Sequence, residues 1–395
     1  MISEKMTDLG KKSSVIREIF EYGLKRKAEI GEENVLDFSL GNPSVPAPQC
    51  LTDAMKSFID NVPAEQLHGY TSGPGDFKVR SKIAEYISET FDFKADFSNI
   101  YMTCGAAASL TISLHAIINP GDEVIAFAPY FPEYKVFAEK AGATLVTVNC
   151  RDDNLQIDFE ALKNALTAKT KAVILNSPNN PSGVIVPEKD IRELADILCE
   201  AQNEFGTDIY LLADEPYREL VYSDEKLPYL PCYYKNTIVC YSFSKSLSVP
   251  GERIGYIFVS PQAADSADCF AAVCGAGRAL GYVCAPSLMQ YTVAQCLGKT
   301  SDIGIYKENR DLLYSSLVDI GYDVIMPDGA FYMFVRALEK DACAFCERAK
   351  KYELLLVPSD DFACPGFVRI AYCVEPSKIT RSIPAFKKLY DEYKK

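Results

Sequence analysis

Downstream of residue 100, apolar runs alternate with amphipathic stretches in a repeating strand–helix rhythm. Residues 100–104, 123–128, 144–149, 171–176, 208–214, 237–243 and 255–260 are short, rich in β-branched and aromatic side chains, and predict strands. Between them, 106–118, 133–141 and 190–203 carry apolar positions at helical spacing. Strands of near-continuous apolar character separated by helices point to a mostly parallel sheet buried on both faces. Ligands of such sheets gather beyond the carboxyl ends of the strands.

Outside that region the pattern differs. Residues 14–30 place Val15, Ile19, Phe20 and Leu24 on one helical face, and 35–40 read as a short strand entering Gly41-Asn42-Pro43. A glycine-rich loop, 68–75, precedes a helical pattern over 77–91. Further on, helices are expected over 264–279, 287–297, 305–320 and 377–393, and strands over 322–326, 330–334, 354–358 and 367–371. The expected fold class is α/β. A large domain over 45–275 is built on the mostly parallel sheet, and a smaller α+β domain is made of 1–44 and 276–395.

The 395 residues exceed what one growing core usually takes, in keeping with two domains. The net charge of −13 argues against general affinity for nucleic acid or anionic membrane, though not against a local basic pocket. Of fourteen cysteines only Cys343 and Cys346 have Cys-x-x-Cys spacing, and the two histidines, His68 and His115, lie far from that pair. No metal site is expected, and the thiols read as small buried groups of a reduced, cytoplasmic protein. The polar N-terminus lacks the apolar core of a signal peptide.

The chemistry concentrates where strands end. The 237–243 run delivers Ser242, Ser244 and then Lys245, followed by a Pro/Gly loop that presents Arg253. A lysine just past a buried strand is desolvated, and a neutral amine there can form a Schiff base with an aldehyde. Two hydroxyls and an arginine are groups expected around a phosphate. An aldehyde that carries a phosphate suits them, with pyridoxal phosphate as the candidate. Other strand ends carry Gly105-Ala106-Ala107, Phe131, Asn180 and Asp214. The small-residue turn at 105–107 exposes N–H groups at a helix start, which serves a phosphate or simply close packing. Gly41 serves its turn or leaves room for a ligand, and Tyr70 is a surface aromatic or a phenol reaching into a site.

Together these motifs resemble the class I/II aminotransferases, enzymes of pyridoxal-phosphate fold type I. The resemblance runs from Leu40-Gly41 to Arg369, and includes the Tyr70 loop, the 129–134 and 179–183 segments, Ala213-Asp214-Glu215-Pro216-Tyr217, and Ser242 to Lys245 with Arg253. It implies that Lys245 holds the cofactor and then shuttles the proton between substrate Cα and cofactor C4′. Asp214 would pair with the pyridine nitrogen. Asn180 and Tyr217 would donate to the phenolic oxygen, with Asn180-Pro181 cis, and Phe131 would stack on the ring. Arg253, Ser242, Ser244, Gly105, Ala106 and Ala107 would bind the phosphate, joined by Tyr70 of a neighbouring subunit in a homodimer with shared sites. Arg369, with Gly41 and Asn180, would hold the substrate carboxylate. Two departures stand out: Ala106-Ala107 offers no hydroxyl, and the 275–282 segment leaves open whether Arg278 binds a distal carboxylate.

The expected function is therefore transfer of an amino group between an L-amino acid and a 2-oxo acid, with aspartate or another dicarboxylate as a candidate. A carbon–sulfur β-lyase on the same scaffold is the alternative. A ligand-sensing relative without catalysis is the reading of a different class.

Overall fold

Seven strands form the central sheet of the computed structural model, which describes residues 2–11, 14–223 and 226–394. Their order across the sheet is Ile100–Thr103, Gly255–Val259, Thr237–Ser242, Tyr210–Asp214, Thr170–Asn176, Glu123–Ala128, Thr144–Asn149. Gly255–Val259 runs antiparallel to both neighbours, and the other pairs are parallel. The sheet is mostly parallel, in keeping with helices that cover both faces, and its edge strand Thr144–Asn149 is partly exposed.

Alternation along each strand builds the two layers. Val239 and Tyr241 join one apolar cluster while Ile238 and Cys240 join the other. Helix Glu188–Phe205 closes the first layer with Ile191, Leu194 and Leu198. Helix Ala106–Ile117, apolar almost all round, closes the second with Leu110, Ile112 and Leu114. An all-round apolar helix belongs inside, between the sheet and another helix. Helix Ser266–Ala279 is that outer neighbour, contributing Val273 and Ala276 to the same cluster.

A second, four-stranded antiparallel sheet has the order Val357–Pro358, Phe367–Ala371, Tyr332–Arg336, Val324–Ile325. Helices Gly304–Ile320 and Pro376–Glu392 pack through Leu313, Leu317, Ile379, Phe386 and Leu389 in its core. Helix Val15–Ile30 begins at Ser14, whose hydroxyl accepts from the Arg17 N–H at 3.4 Å. The chain then reaches a two-residue strand, Leu36–Asp37, parallel to Leu354–Leu355.

Several expected boundaries move. The 35–40 strand shortens to Leu36–Asp37 because Asp37 Oδ1 takes the N–H of Ser39 at 3.0 Å and its hydroxyl at 2.7 Å, turning the chain. The single strand expected over 354–358 divides: Leu354–Leu355 pairs with Leu36–Asp37, and Val357–Pro358 pairs with Phe367–Ala371. The helix expected over 287–297 ends at Val293, where Gln295 and Cys296 tighten into three-residue turns. Helices Gln49–Asn61, Phe159–Ala165 and Ala342–Ala349 are additional to the sequence reading.

Candidate active site

The carboxyl ends of the central strands open onto a cavity of about 270 Å³. Lys245 enters from the short helix Phe243–Ser246, which Ser242 caps by accepting from the Ser244 N–H. Its Nζ donates to the Gly41 carbonyl at 2.8 Å and stands 5.4 Å from the centre of the Phe331 ring. Burial pushes its pKa down to about 8, helped by the positive charges of Arg253 and Arg369 and opposed by Cys373. The lowered pKa leaves a sizeable neutral fraction near physiological pH, far more than an exposed lysine keeps, which suits a nucleophile or proton carrier.

Asp214 ends its strand opposite. It is register partner to Asn176, whose side-chain N–H donates to the Asp214 backbone carbonyl at 2.8 Å. The Tyr134 hydroxyl donates to Asp214 Oδ2 at 2.5 Å. Oδ1 is buried with no hydrogen-bond partner. Burial pushes the acid up to about 7, against the Tyr134 hydrogen bond and with the nearby Glu215. A buried carboxylate with one empty oxygen is costly unless a donor, best a cationic one, completes it.

One end of the cavity collects anion-binding groups. Gly105 caps helix Ala106–Ile117 with φ 89°, a left-handed conformation that disfavours a side chain. A Cβ there would lie 2.9 Å from the Arg253 guanidinium, so glycine lets that cation approach the helix start. Ala106, Ala107, Ser242, Ser244 and Arg253 all border the cavity at this helix N-terminus, and the Ser242 and Ser244 hydroxyls lie 2.6 Å apart. N–H groups, hydroxyls and a guanidinium suit a phosphate.

The other end is built around Arg369, which is 2% exposed. It donates to Asn180 Oδ1 at 3.1 Å and to the Ser39 carbonyl at 2.6 Å, and its Nε has no partner. Tyr332 and Phe362 flank its guanidinium at 4.6 and 5.1 Å. Asn180 is fixed in turn by its N–H to Asn176 Oδ1 at 2.7 Å, and the Asn180–Pro181 bond is cis, as the resemblance implies. Gly41 cannot carry a side chain: a Cβ would sit 1.9 Å from the Tyr332 hydroxyl. That hydroxyl lies 3.0 Å from the hydroxyl of Tyr217. Phe131 also lines the cavity.

One cavity therefore brings together Lys245, Asp214, Tyr217, Asn180, Phe131, Arg253, Arg369 and the two serines. Tyr70, 90% exposed, and Arg278, also exposed, do not border it within one chain. Sequence reasoning missed Asn176, Tyr134 and Tyr332. Asn176, a polar residue closing an apolar strand, is the one that left a signal.

A model of the family described as aminotransferase class I and II matches residues 33–386. A probable aspartate aminotransferase of Methanocaldococcus jannaschii is 28% identical over 400 residues, covering 99% of this chain and 100% of the relative. A probable N-acetyl-LL-diaminopimelate aminotransferase of Bacillus subtilis is 30% identical over 369 residues, 90% of each chain. The crystal structure of an amino transferase from Eubacterium rectale superimposes with a TM-score of 0.98 at 54% identity, over all of both chains. Fold, site and family match agree: the chain belongs to the class I and II aminotransferases.

Proposed function

We propose that this aminotransferase works with pyridoxal phosphate held in the Lys245 cavity, and that aspartate or a similar dicarboxylic amino acid is among its donors. The observation that carries the reading is the buried, unpartnered Oδ1 of Asp214 in the same cavity as a lysine whose pKa is lowered to about 8. A pyridine nitrogen bearing a proton supplies what Oδ1 lacks, and an aldehyde suits the amine. The phosphate suits the groups around Arg253.

When bound, the cofactor supplies an electron sink conjugated to the substrate Cα. Asp214 would hold the ring nitrogen through Oδ1, Phe131 would pack against the ring, and Asn180 and Tyr217 would donate to the phenolic oxygen. Lys245, as a free neutral amine on a flexible stem, would be the group that holds and moves the proton of the substrate Cα. Arg369 and Asn180 orient the α-carboxylate, while Gly41 leaves room beside Tyr332 for it.

The relatives named for aspartate support a dicarboxylate donor, with Arg278 of a neighbouring subunit as the candidate for the distal carboxylate. The exposure of Tyr70 at 90% and of Val283 at 65% supports a homodimer in which Tyr70 serves the partner's phosphate. We place the cofactor on the domain expected over 45–275, whose core is also joined by helix Ser266–Ala279, Met289 and Val293, and Arg369 of the substrate clamp on the domain of 1–44 and the later part of 276–395. Among the described residues no helix is long and apolar enough to cross a membrane. Fourteen free cysteines support work in the reducing cytoplasm.

A screen of amino acids against the loaded enzyme tests the reading. Transamination releases one 2-oxo acid per site in the first half-reaction, and Arg278→Ala should weaken aspartate and glutamate more than alanine. Release of ammonia and pyruvate would instead establish the β-lyase.

A further inference from the structure

The two oxygens of the Asp214 carboxylate are unequal before any ligand arrives. Oδ2 accepts from the Tyr134 hydroxyl at 2.5 Å, while Oδ1 is buried and unpartnered. Among the described residues Tyr134 is the one side chain that donates to this carboxylate. Glu215, the next acid along, is turned away into an ion pair with Arg218.

Tyr134 is itself locked. It is 1% exposed and lies in the first turn of helix Glu133–Ala141, three residues after Phe131. The Phe131 ring meets it edge-on at 5.9 Å, and the Tyr130 ring stacks with it at 6.2 Å. Burial and the facing carboxylate hold the phenol's pKa well above its ordinary value. It therefore stays neutral, and it stays a donor, throughout the working pH range. The same turn of chain thus places the ring-facing aromatic and the group that engages the acid.

The consequence concerns where a shared proton sits. In a buried acid–base pair the neutral arrangement, carboxylic acid beside unprotonated pyridine, competes with the ionic one, because burial penalises both charges. A donor to the carboxylate favours its charged form, and removing that donor makes it the stronger base. We propose that Tyr134 is a positioning residue which, by donating to Oδ2, keeps Asp214 the weaker base and so keeps the proton on the cofactor's ring nitrogen. This rests on the reading of the cavity as a pyridoxal-phosphate site with Asp214 at the ring nitrogen. The fit is with this chain's own groups: burial already raises Asp214 to about 7, and the phenol is what opposes it.

The test loads the enzyme with pyridoxal phosphate labelled with nitrogen-15 in the ring and reads the nitrogen resonance. In the unaltered protein it should lie at the protonated position. Tyr134→Phe should move it more than halfway to the unprotonated position, and a carboxylic-acid carbonyl stretch should appear in the infrared. Replacing Tyr134 by 3,5-difluorotyrosine, a stronger donor of nearly the same shape, should hold the resonance at the protonated position; it also keeps the test decisive if Tyr134→Phe loads poorly. A merely structural tyrosine would alter melting temperature and leave the nitrogen unmoved. A resonance in Tyr134→Phe identical to that of the unaltered protein overturns the inference alone. A resonance that also ignores Asp214→Asn overturns the pairing with Asp214, and the reading with it.

Discussion

The amine of Lys245 donates to the backbone carbonyl of Gly41 at 2.8 Å, tying the turn after the 237–242 strand to the loop that follows Leu36–Asp37. Residues 204 positions apart thereby share one hydrogen bond at the mouth of the cavity. The contact depends on Gly41 lying against Tyr332, since any Cβ would fall 1.9 Å from that hydroxyl. Gly41→Ala must therefore displace Tyr332 and break its contact with Tyr217. Misplacement of about 1 Å at a reacting centre costs on the order of 10²-fold in rate. Gly41→Ala should lose activity on that scale and also lower the melting temperature, because the displaced Tyr332 is buried. Near-normal kcat/KM would show that the loop yields freely.

The lowered pKa of Lys245 has a pH signature. Its ordinary value is 10.5 and its folded value about 8. Below 8 the amine is charged in both states, and the folded protein carries the full burial penalty. That penalty disappears as pH rises from 8 to 10.5, so stability increases across this window. Capture of pyridoxal phosphate by the cofactor-free protein should accelerate with pH and level off just above 8. A rate still climbing at pH 10 would mean that the amine is not desolvated.

Asp214 gives the opposite slope. Its pKa rises from 3.8 to about 7, so between those values the folded state keeps a proton that the unfolded state has lost. Stability of the cofactor-free protein should therefore fall as pH rises from about 4 to 7. Glu219, which burial also pushes up to about 7, contributes in the same direction. Asp214→Asn should remove roughly half of the slope, while abolishing the sink for charge. The accompanying loss in kcat should be about 10²–10³-fold, the range for one preorganised charge-stabilising group. A melting curve whose pH dependence survives Asp214→Asn unchanged would contradict the assignment.

How much of this was legible in the chain follows from which forces are local. The central strands stood out because burial demands continuous apolar runs, and Asp214, Asn180 and Lys245, at or just past their carboxyl ends, marked the site. Asn176 and Tyr134 acquire their roles from neighbours far along the chain: Asn176 is paired in register with Asp214, and Tyr134 reaches it from 80 positions away. No local pattern encodes such meetings. Two-residue strands such as Leu36–Asp37 are too short to display a period, which is why the boundaries at 35–40 and 354–358 differ from those expected. Tyr332 opens a strand whose first four residues are all buried, and there its hydroxyl is indistinguishable by pattern from a core residue's.

Arg369 is reached through a relay from the N-terminal helix. Lys27 pairs with Asp37 at 2.7 Å, Asp37 holds Ser39, and the Ser39 carbonyl accepts from Arg369 at 2.6 Å. An ammonium lacks the planar fork that can hold Ser39, Asn180 and a carboxylate together. Arg369→Lys should raise KM for every amino acid roughly 10- to 150-fold, the equivalent of one charge-assisted hydrogen bond. A rise confined to dicarboxylates would place the residue at the distal end instead.

Every role proposed for the cavity depends on Lys245. Protein loaded with pyridoxal phosphate, reduced with borohydride, digested and mapped by mass should carry the cofactor on the peptide containing Lys245, and Lys245→Ala should carry none. Cofactor fixed to a different lysine, or still fixed in Lys245→Ala, would contradict it.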